Sequence, residues 1–421
     1  MSGLSGILVA AMAMSPGSIQ AMTLSEAVSR GLAINPAVMS AEAEARSVAT
    51  EVDIARDSYW PSVSMSAGPE NEVFGEIGYD VTATQVLYDW GRIAAQVDTA
   101  SAEHRESLAA LKVTSDEVAL DIIELYLDVI AAQRRVAVVE EYLQRLDELA
   151  AMTQERDVSG YSDRSESERA SLDLARAREQ LSIERGSLSE AQRQLSVLLQ
   201  RELLTTQEPV PHSDLLETLE SPQVLDDAIA EAPALNRSQA GVVAAEAQLD
   251  ESRAALKPQL NLEGSLLRRE IGGQVEDDQV IALRVRMEPI QGLSNWRRAE
   301  AATQRVEASK YTHRATLMDL ERTVSGLLEQ RDVLMMRQDV LQQQVRSAEG
   351  VAATYREQFD AGLRDVADLL SIERERFEAA RQSVDLKVEL YRLQYQAASQ
   401  LGMLDAVMPG IPAHMAGDRN E

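Results

Sequence analysis

The histidines are the first residues of this 421-residue sequence to consider for chemistry, because an imidazole can bind a metal or move a proton near neutral pH. The four histidines are His104, His212, His313 and His414, and they lie far apart with no second ligand type at metal-binding spacing. The sequence also lacks a phosphate-binding glycine loop, a nucleophile elbow and an HExxH pair. We therefore predict no catalytic residues, no metal site and no cofactor, and expect a protein that is not an enzyme.

Carboxylates are abundant, and 69 Asp and Glu against 41 Lys and Arg give a formal net charge of −28. This balance argues against nucleic acid as a partner, because phosphate binding needs the opposite sign. Two explanations stay open: solvated helix surfaces with basic neighbours at i+3 and i+4, or a lumen that passes or filters cations. The sequence contains no cysteine, so we expect neither disulfides nor a thiol-linked lipid anchor.

The elements that must position these charges are long helices. From Val118 to Ala150, apolar residues recur at alternating spacings of 4 and 3, a heptad seam that needs a neighbouring helix alongside it. Between Leu320 and Ala352 the same seam returns 202 residues later, with eight of its ten positions apolar. The chain therefore contains one structural unit twice.

Each copy of the unit predicts a long helical hairpin, one at 91–200 and one at 295–402. Polar turn segments interrupt the helical pattern near Gly160 and Gly362, which are again 202 residues apart. Glycine adopts the left-handed backbone conformation that ends a helix at low cost. We expect these two glycines to form the tips of the hairpins.

Ahead of each helical hairpin the period of the pattern changes from 3.6 to 2, which predicts β-hairpins at about 61–88 and 258–288. Gly-rich, acidic loops are expected to join the strands at 68–78 and 268–278. One face of each hairpin is apolar and the other is polar. The apolar face comprises Val63, Met65, Val81, Leu260, Leu262, Ile281, Leu283 and Val285.

Two interpretations of these hairpins are open: a soluble sheet packed on a helix, or a transmembrane barrel with its apolar face toward lipid. Strands of about 9 residues, the length that crosses a bilayer when tilted, favour the barrel. Glu263, Arg284 and Arg286 lie on the polar face, which suits a wet lumen. An aromatic belt is predicted from Tyr59, Trp60, Tyr88 and Trp90, where the first hairpin meets its helices.

Four strands cannot close a membrane barrel, because the smallest barrels have about eight. An open sheet in lipid leaves unpaired backbone groups, each costing several kcal/mol. If the hairpins enter a membrane, the chain must oligomerise. Two, three or four copies would each close on an even number of strands, and the sequence pattern does not choose among them.

The predicted fold class is mainly α with a small β part, built from a duplicated unit of helices, β-hairpin and long helical hairpin. An apolar N-terminal segment from Gly6 to Met14 without a basic start is either a truncated secretory signal, which we favour, or a chance apolar stretch. The sequence contains no run of about 18 apolar residues, so it predicts no transmembrane helix. The expected segments are a signal at 1–21, repeat 1 at 22–204, a surface linker at 205–223, repeat 2 at 224–404 and a loose tail at 405–421.

The order and duplication of these features resemble the TolC-like outer-membrane efflux protein family, over roughly residues 22–404. Residues that carry the resemblance are Leu24-Ser25-Glu26-Ala27-Val28 with Asn35-Pro36, Pro61 and Pro258 before the strands, Gln85-Val86-Leu87-Tyr88-Asp89-Trp90-Gly91 at the strand-to-helix junction, and Phe359 to Leu370. No single motif is decisive, whereas their combined order is specific.

This resemblance implies a homotrimer in the outer membrane of a Gram-negative bacterium. Its twelve strands would form one β-barrel, continuous with a periplasmic α-helical barrel that tapers to a closed tip. The implied partners are a periplasmic adaptor (membrane fusion) protein, an inner-membrane ABC or RND-type transporter, and outer-membrane lipids. The implied function is the exit duct of a tripartite efflux or type I secretion system, gated at the helix tips.

By motif position the resemblance also implies a set of gate and tip residues. They are Gly160, Ser165, Glu166, Phe359, Gly362, Arg364, Asp365 and Asp368. Asp368 matches a gate carboxylate, and Ser371 stands where a second one is usual, so a doubled acidic ring is not expected unless Asp365 compensates. We expect Arg364 to pair with Glu166 or Asp163 of the adjacent hairpin and hold the tips together.

A soluble periplasmic coiled-coil scaffold or adaptor is the alternative function, and a cytosolic helical protein is a remote third. The face of the strands discriminates the first two, because an arginine at Leu283 is tolerated on a soluble sheet and not in lipid. The sequence does not identify the cargo, which is left open among drugs, metal ions and secreted polypeptide, or the class of transporter.

Overall fold

The computed structural model describes residues 21–69, 77–160, 163–202, 206–209, 215–271, 274–287 and 294–408. Its helices are α1 (Leu24–Ile34), α2 (Pro36–Asp57), α3 (Arg92–Val158), α4 (Arg164–Leu199), α5 (Leu215–Thr218), α6 (Pro222–Ala230), α7 (Pro233–Ala254), α8 (Ser294–Asp360), α9 (Val366–Gln400) and α10 (Leu404–Val407). Its strands are β1 (Ser62–Pro69), β2 (Ile77–Tyr88), β3 (Gln259–Ile271) and β4 (Gln274–Arg286). The prediction of a mainly helical chain with a small sheet is confirmed.

The duplication is visible in the lengths of the long helices. Helices α3 and α8 contain 67 residues each, and the helices that return from them, α4 and α9, contain 36 and 35. At 1.5 Å per residue the two 67-residue helices are each roughly 100 Å long. The signal predicted at 1–21 lies outside the described residues except for Ala21.

Caps explain where the two helices before the first hairpin start. Thr23 caps α1 with a full capping box, since its side chain accepts from Glu26 N and the Glu26 carboxylate accepts from Thr23 N at 3.0 Å. Asn35 caps α2 by accepting from Ala37 N at 2.8 Å, and Pro36 occupies the first helical position. The Asn-Pro pair therefore ends one helix and starts the next.

The heptad seams lie inside the helical part of the molecule. All ten seam positions of α3 and all ten of α8 are buried or half-buried. Arg331 is a polar exception in the second seam, and its guanidinium is paired with Glu220, which lies between α5 and α6. A buried charge is tolerated there because a carboxylate neutralises it.

A single antiparallel sheet combines the two β-hairpins in the order β1-β2-β3-β4. Strands β2, β3 and β4 contain 12, 13 and 13 residues, so the prediction of about 9 is too short for them. The expected loop at 268–278 is wrong, because β3 and β4 pair through it as far as Ile271 with Gln274. Residues 70–76 of the loop expected at 68–78 lie outside the described residues.

The connection between the repeats packs more closely than predicted. Met22 forms a parallel bridge with Thr206, and Leu215, Leu216 and Leu219 are buried in the helical core. The prediction of a surface linker is therefore wrong for the described part of 205–223. Burying these leucine side chains is favourable because it removes apolar surface from water. The prediction of a loose tail is wrong at its start, since Val407 and Met408 are buried. Residues 409–421 lie outside the described residues.

Tyr126 of α3 holds this connection against the start of the chain. Its ring is fully buried, and its hydroxyl lies 2.7 Å from Met22 O and 2.5 Å from Gln207 O. The same hydroxyl accepts a hydrogen bond from Gln207 N at 2.9 Å. Burial raises the pKa of Tyr126 to about 12, so the hydroxyl stays a donor throughout the neutral range.

Replacing Tyr126 by Phe should remove the hydroxyl that bridges Met22 O and Gln207 O, leave only the direct bond from Gln207 N to Met22 O at 3.1 Å, and destabilise this contact by about 1 kcal/mol. Hydrogen exchange at neutral pH should become faster in residues 206–209. Tyr311→Phe, at an exposed tyrosine of α8, is the control and should leave exchange there unchanged. Equal protection in Tyr126→Phe and the parent protein would contradict the role of this hydroxyl.

Candidate functional site

The register of the sheet places the predicted apolar residues on one face. Val63 lies opposite Ala83, Met65 opposite Val81, and Leu262 opposite Leu283. The eight residues Val63, Met65, Val81, Leu260, Leu262, Ile281, Leu283 and Val285 share that face through the alternation of side chains. Ile281 is 83% exposed and Met65 is 75% exposed, so the face is not part of the core of the chain.

The opposite face carries charge. Glu263 of β3 is buried, and Arg284 Nε lies 2.9 Å from its carboxylate, which also contacts Arg286. Farther along the same face, Thr82 Oγ1 donates to Asp80 at 2.9 Å. The sheet thus has one exposed apolar face and one face of ion pairs and hydroxyls, joined to very long helices.

A tight turn connects β2 to α3. Trp90 and Gly91 both have positive φ, at 59° and 85°, which allows the strand to turn directly into the helix. Asp89 holds the turn by accepting from Gly91 N at 3.0 Å and from Ile93 N at 2.6 Å. The ring of Trp90 packs edge-on against Tyr88, with centroids 4.6 Å apart.

The predicted aromatic belt lies on the surface at this junction. Tyr59, Trp60, Tyr88 and Trp90 are all exposed. Tyr59 is also tied to the sheet, since Gln85 Nε2 donates to its carbonyl at 3.1 Å. Trp296 near the start of α8 is an exposed aromatic of the second unit. Exposed rings next to an exposed apolar sheet face are typical of a membrane interface.

Both hairpin tips contain the expected left-handed glycines. Gly160 has φ 74° and Gly362 has φ 71°. At the second tip Gly362 N donates to Phe359 O at 2.9 Å and Leu363 N donates to Gln358 O at 2.8 Å, which is a full Schellman motif. The sequence therefore ends α8 at this point through glycine.

The return helices start from aspartate caps. Asp163 accepts from Ser165 N at 3.4 Å at the start of α4, and Asp365 accepts from Asp368 N at 3.0 Å at the start of α9. Of the predicted tip residues, Ser165 and Asp365 thus have a local role in forming the turn. Glu166 lies in the first turn of α4, where a carboxylate complements the helix dipole.

Arg364 has partners other than the predicted ones. Its guanidinium donates to Asp368 at 2.8 Å and to Gln358 at 3.0 Å, and it lies 3.9 Å from the centre of the Tyr355 ring. Within the described chain Arg364 therefore pairs with Asp368, one helical turn away, instead of Glu166 or Asp163. Its pairing with an adjacent hairpin of another copy stays a prediction. Arg364 and Asp368 form one local ion pair at the tip.

Phe359 lies inside the tip rather than on it. It is fully buried in an apolar cluster that joins both hairpins, composed of Val139, Tyr142, Leu146, Leu149, Ala170, Leu174, Ala177, Phe359, Val366, Leu369, Leu370 and Phe377. Arg156 of α3 stacks over its ring at 4.4 Å and donates to its carbonyl at 3.1 Å. Phe359 therefore anchors the second tip to the first.

Ion pairs between α3 and α9 were missed by sequence reasoning. Arg145 Nε lies 2.7 Å from Glu373, and both side chains are largely buried. Arg135 pairs with Asp385 at 2.6 Å. Heptad periodicity marks the apolar seam between adjacent helices and gives no signal for charged contacts between two hairpins. Burial makes the Arg145–Glu373 pair far more costly to break than a surface pair.

Among the described residues, no group of three or more His, Cys, Asp or Glu side chains is arranged to hold a metal ion. His313 Nδ1 lies 2.9 Å from the hydroxyl of Ser238, which gives this histidine an ordinary hydrogen bond.

None of the described helices contains a stretch long and apolar enough to cross a membrane.

Sequence comparison agrees with this architecture. The sequence profile of the outer membrane efflux protein family matches residues 27–200 and 224–402. The chain belongs to this family. Both repeats are covered by the match, and the resemblance inferred from the sequence is confirmed. The family is one of channel proteins rather than enzymes.

Individual relatives are more distant. The chain is 27% identical over 253 residues to protein CyaE of Bordetella pertussis, a match that covers 57% of this chain and 53% of that protein. The match thus spans about half the length of this curated relative.

Solved structures show the same fold. A structure of CusC, from work on folding and transmembrane channel formation, superposes with a TM-score of 0.77 at 16% identity, covering 90% of this chain and 91% of that one. The CmeC outer membrane channel of Campylobacter jejuni gives a TM-score of 0.74 at 15% identity, with coverages of 90% and 86%. At these identities the similarity establishes the fold.

Proposed function

We propose that the chain is one protomer of a trimeric outer-membrane exit duct, in an efflux or type I secretion system of a Gram-negative bacterium. The observation that carries this proposal is the two-faced sheet, apolar and exposed on one side and charged on the other. A water-filled bore accounts for the paired charges, and lipid accounts for the exposed Ile281 and Met65. The long helices then extend the bore into the periplasm.

Closure of the barrel requires other chains. The edges of the sheet are β1 and β4, and strands inside a bilayer must have all their backbone groups paired. Three copies of four strands give twelve, enough for one closed barrel. In that barrel β4 of one protomer pairs with β1 of the next, so the edges disappear.

Internal duplication supports the trimer in the helical part as well. Within the chain α3 packs against α9, and Ser399 Oγ donates to Asp116 O at 3.2 Å. A shift of 202 positions converts Asp116 into Met318 of α8 and Ser399 into Val197 of α4. Met318 is 68% exposed and Val197 is 73% exposed. Two large apolar side chains thus occupy positions whose counterparts are in contact.

The rest of this face of α8 follows the same pattern. Val333 and Val340 are exposed, whereas their counterparts Ala131 and Val138 in α3 are buried and half-buried. Helix α8 of one protomer therefore packs on α4 of the next, as α3 packs on α9 within the chain. Repetition around a threefold axis makes each hairpin a neighbour of two others, which closes a helical tube.

The tips are the proposed contact with the periplasmic adaptor protein, which links the duct to an inner-membrane transporter of the ABC or RND type. Val158 and Leu363 stand beside the two tip glycines and are 79% and 77% exposed. Apolar side chains at the end of a soluble helical tube are suited to burial against another protein.

Gating is proposed at the same tips, with Gly160, Ser165, Glu166, Gly362, Arg364, Asp365 and Asp368 near the entrance and Phe359 as the internal anchor. The Arg364–Asp368 pair is exposed to solvent, and such pairs add little to stability. Docking of an adaptor is enough to offset such a pair, while the buried cluster around Phe359 holds the two hairpins together. The tip therefore rearranges without unfolding.

Reconstitution in a planar bilayer tests the duct and its gate together. The parent protein should give discrete, cation-preferring conductance, and Arg364→Ala or Asp368→Ala should increase it because each removes the tip ion pair. Arg253→Ala, which removes an exposed Arg–Asp pair from α7, is the control and should not change conductance. Absence of channels in the parent would contradict the proposed function.

Leu283→Arg tests whether the apolar face meets lipid. An arginine there should cost about 1–3 kcal/mol per chain and block assembly in the outer membrane. The cost lies between the values for the bilayer middle and the interface, because Leu283 is two residues from Val285, which is level with Tyr88. Ser64→Arg places the same charge on the polar face and should assemble normally. Membrane fractionation and the heat-resistant trimer on gels measure both. A Leu283→Arg variant that fractionates and trimerises normally would instead favour a soluble periplasmic scaffold or adaptor.

Cysteine cross-linking tests the interface between α8 and α4, on a chain without native cysteines. Met318→Cys combined with Val197→Cys should form covalent dimers and trimers on oxidation, since a disulfide needs Cα atoms about 4.4–6.8 Å apart. Met318→Cys with Leu172→Cys, an exposed position farther along α4, should stay monomeric on denaturing gels. The reverse pattern would exclude this packing.

A further inference from the structure

The charged face of the sheet contains one cluster that the duct by itself does not require. Arg284 and Arg286 of β4 both contact Glu263 of the neighbouring strand, Arg284 Nε at 2.9 Å. Two guanidinium groups against one carboxylate leave a net charge of +1. The cluster is therefore positive in a chain whose formal charge is −28.

Burial makes the surface of this cluster more positive than its net charge indicates. The side chain of Glu263 is 9% exposed, whereas Arg284 and Arg286 are 59% and 61% exposed. The carboxylate lies beneath the two arginines, lowers their mutual repulsion and holds them in place. A solute on the polar side of the sheet meets guanidinium groups first.

The cluster also has a defined position along the strands. Arg286 is the last residue of β4 and lies opposite Gln259, the first residue of β3. This end of the sheet is the one joined to the helices. Toward the far end the same face carries Asp80 and, by alternation, Asp278. Positive and negative charge are thus separated along the axis of the strands.

We propose that Arg284 and Arg286 form a positive girdle inside the barrel, at the level where it joins the helical tube, and that this girdle favours anionic solutes and anionic groups of the cargo. The inference rests on the proposed trimeric duct. Three copies place six arginines and three glutamates around one bore. Charge of one sign around a water-filled passage with low-dielectric walls raises the local concentration of counter-ions.

The charge of the girdle has the opposite sign to the charge expected along the rest of the lumen. An acidic chain favours cations along the helical tube, and the girdle then admits anions preferentially at the barrel. A cargo with both a cationic and an anionic group is the chemical class that finds a partner in each part. Arginine suits this position because its planar fork binds carboxylate or phosphate groups with two hydrogen bonds.

Ion selectivity of the full-length protein in planar bilayers, under a KCl gradient, tests the girdle. Arg284→Gln and Arg286→Gln are made singly, because each leaves Glu263 paired with the other arginine and avoids a buried unpaired carboxylate. Each should raise the permeability ratio of potassium to chloride by about two- to tenfold. Glu263→Gln should change the ratio in the opposite direction, because it removes the negative charge from the cluster.

Arg268→Gln is the matched control, since Arg268 lies on β3, the strand of Glu263, but shares the apolar face with Leu266. Its permeability ratio should equal that of the parent protein. If the parent forms channels and neither arginine variant alters the ratio, the girdle is excluded and the duct stands. If the parent forms no channels in lipid, the duct is excluded and the girdle with it.

Discussion

Backbone hydrogen bonding at the two edges of the sheet is the constraint on which the rest of the proposed architecture depends. Strands β1 and β4 each have one neighbour in the chain, and the sheet they bound has an exposed apolar face. In water such edges bind solvent, but in hydrocarbon each unpaired group costs several kcal/mol. A chain with this sheet therefore forms a closed barrel only together with copies of itself.

The long helices meet the same requirement in a different way. Heptad seams bury one stripe of α3 against α4 and one stripe of α8 against α9. A second face of α3 is buried by α9, whereas the corresponding face of α8 exposes Met318, Val333 and Val340. In the first repeat this second helix face is therefore covered within the chain, whereas the corresponding face of the second repeat is exposed. In the proposed trimer, barrel and helical tube consequently close by the same symmetry operation.

The tips combine buried contacts that are costly to break with an exposed ion pair of small net energy. Phe359 and the buried Arg145–Glu373 pair join the two hairpins through contacts that are costly to break. Arg364 and Asp368, only a few residues away, form an exposed pair of small net energy. A gate needs both kinds of contact: a stable hinge region and an entrance whose contacts a docking partner can replace.

Periodicity and turn chemistry determined much of the molecule from the sequence alone. The 3.5-residue seam, the change to a period of 2 and the glycines at 160 and 362 predicted the helices, the hairpins and the tips, because these depend on neighbours within a few residues.

Packing between distant segments decided the rest. Leu219 is buried in a connection that looked exposed, and β3 and β4 continue pairing through a stretch that looked like a loop. Arg364 turned to its own Asp368, while Phe359 and Arg156 joined across 203 positions. Such contacts depend on which segments meet in space, and a pattern that repeats every few residues carries no information about that.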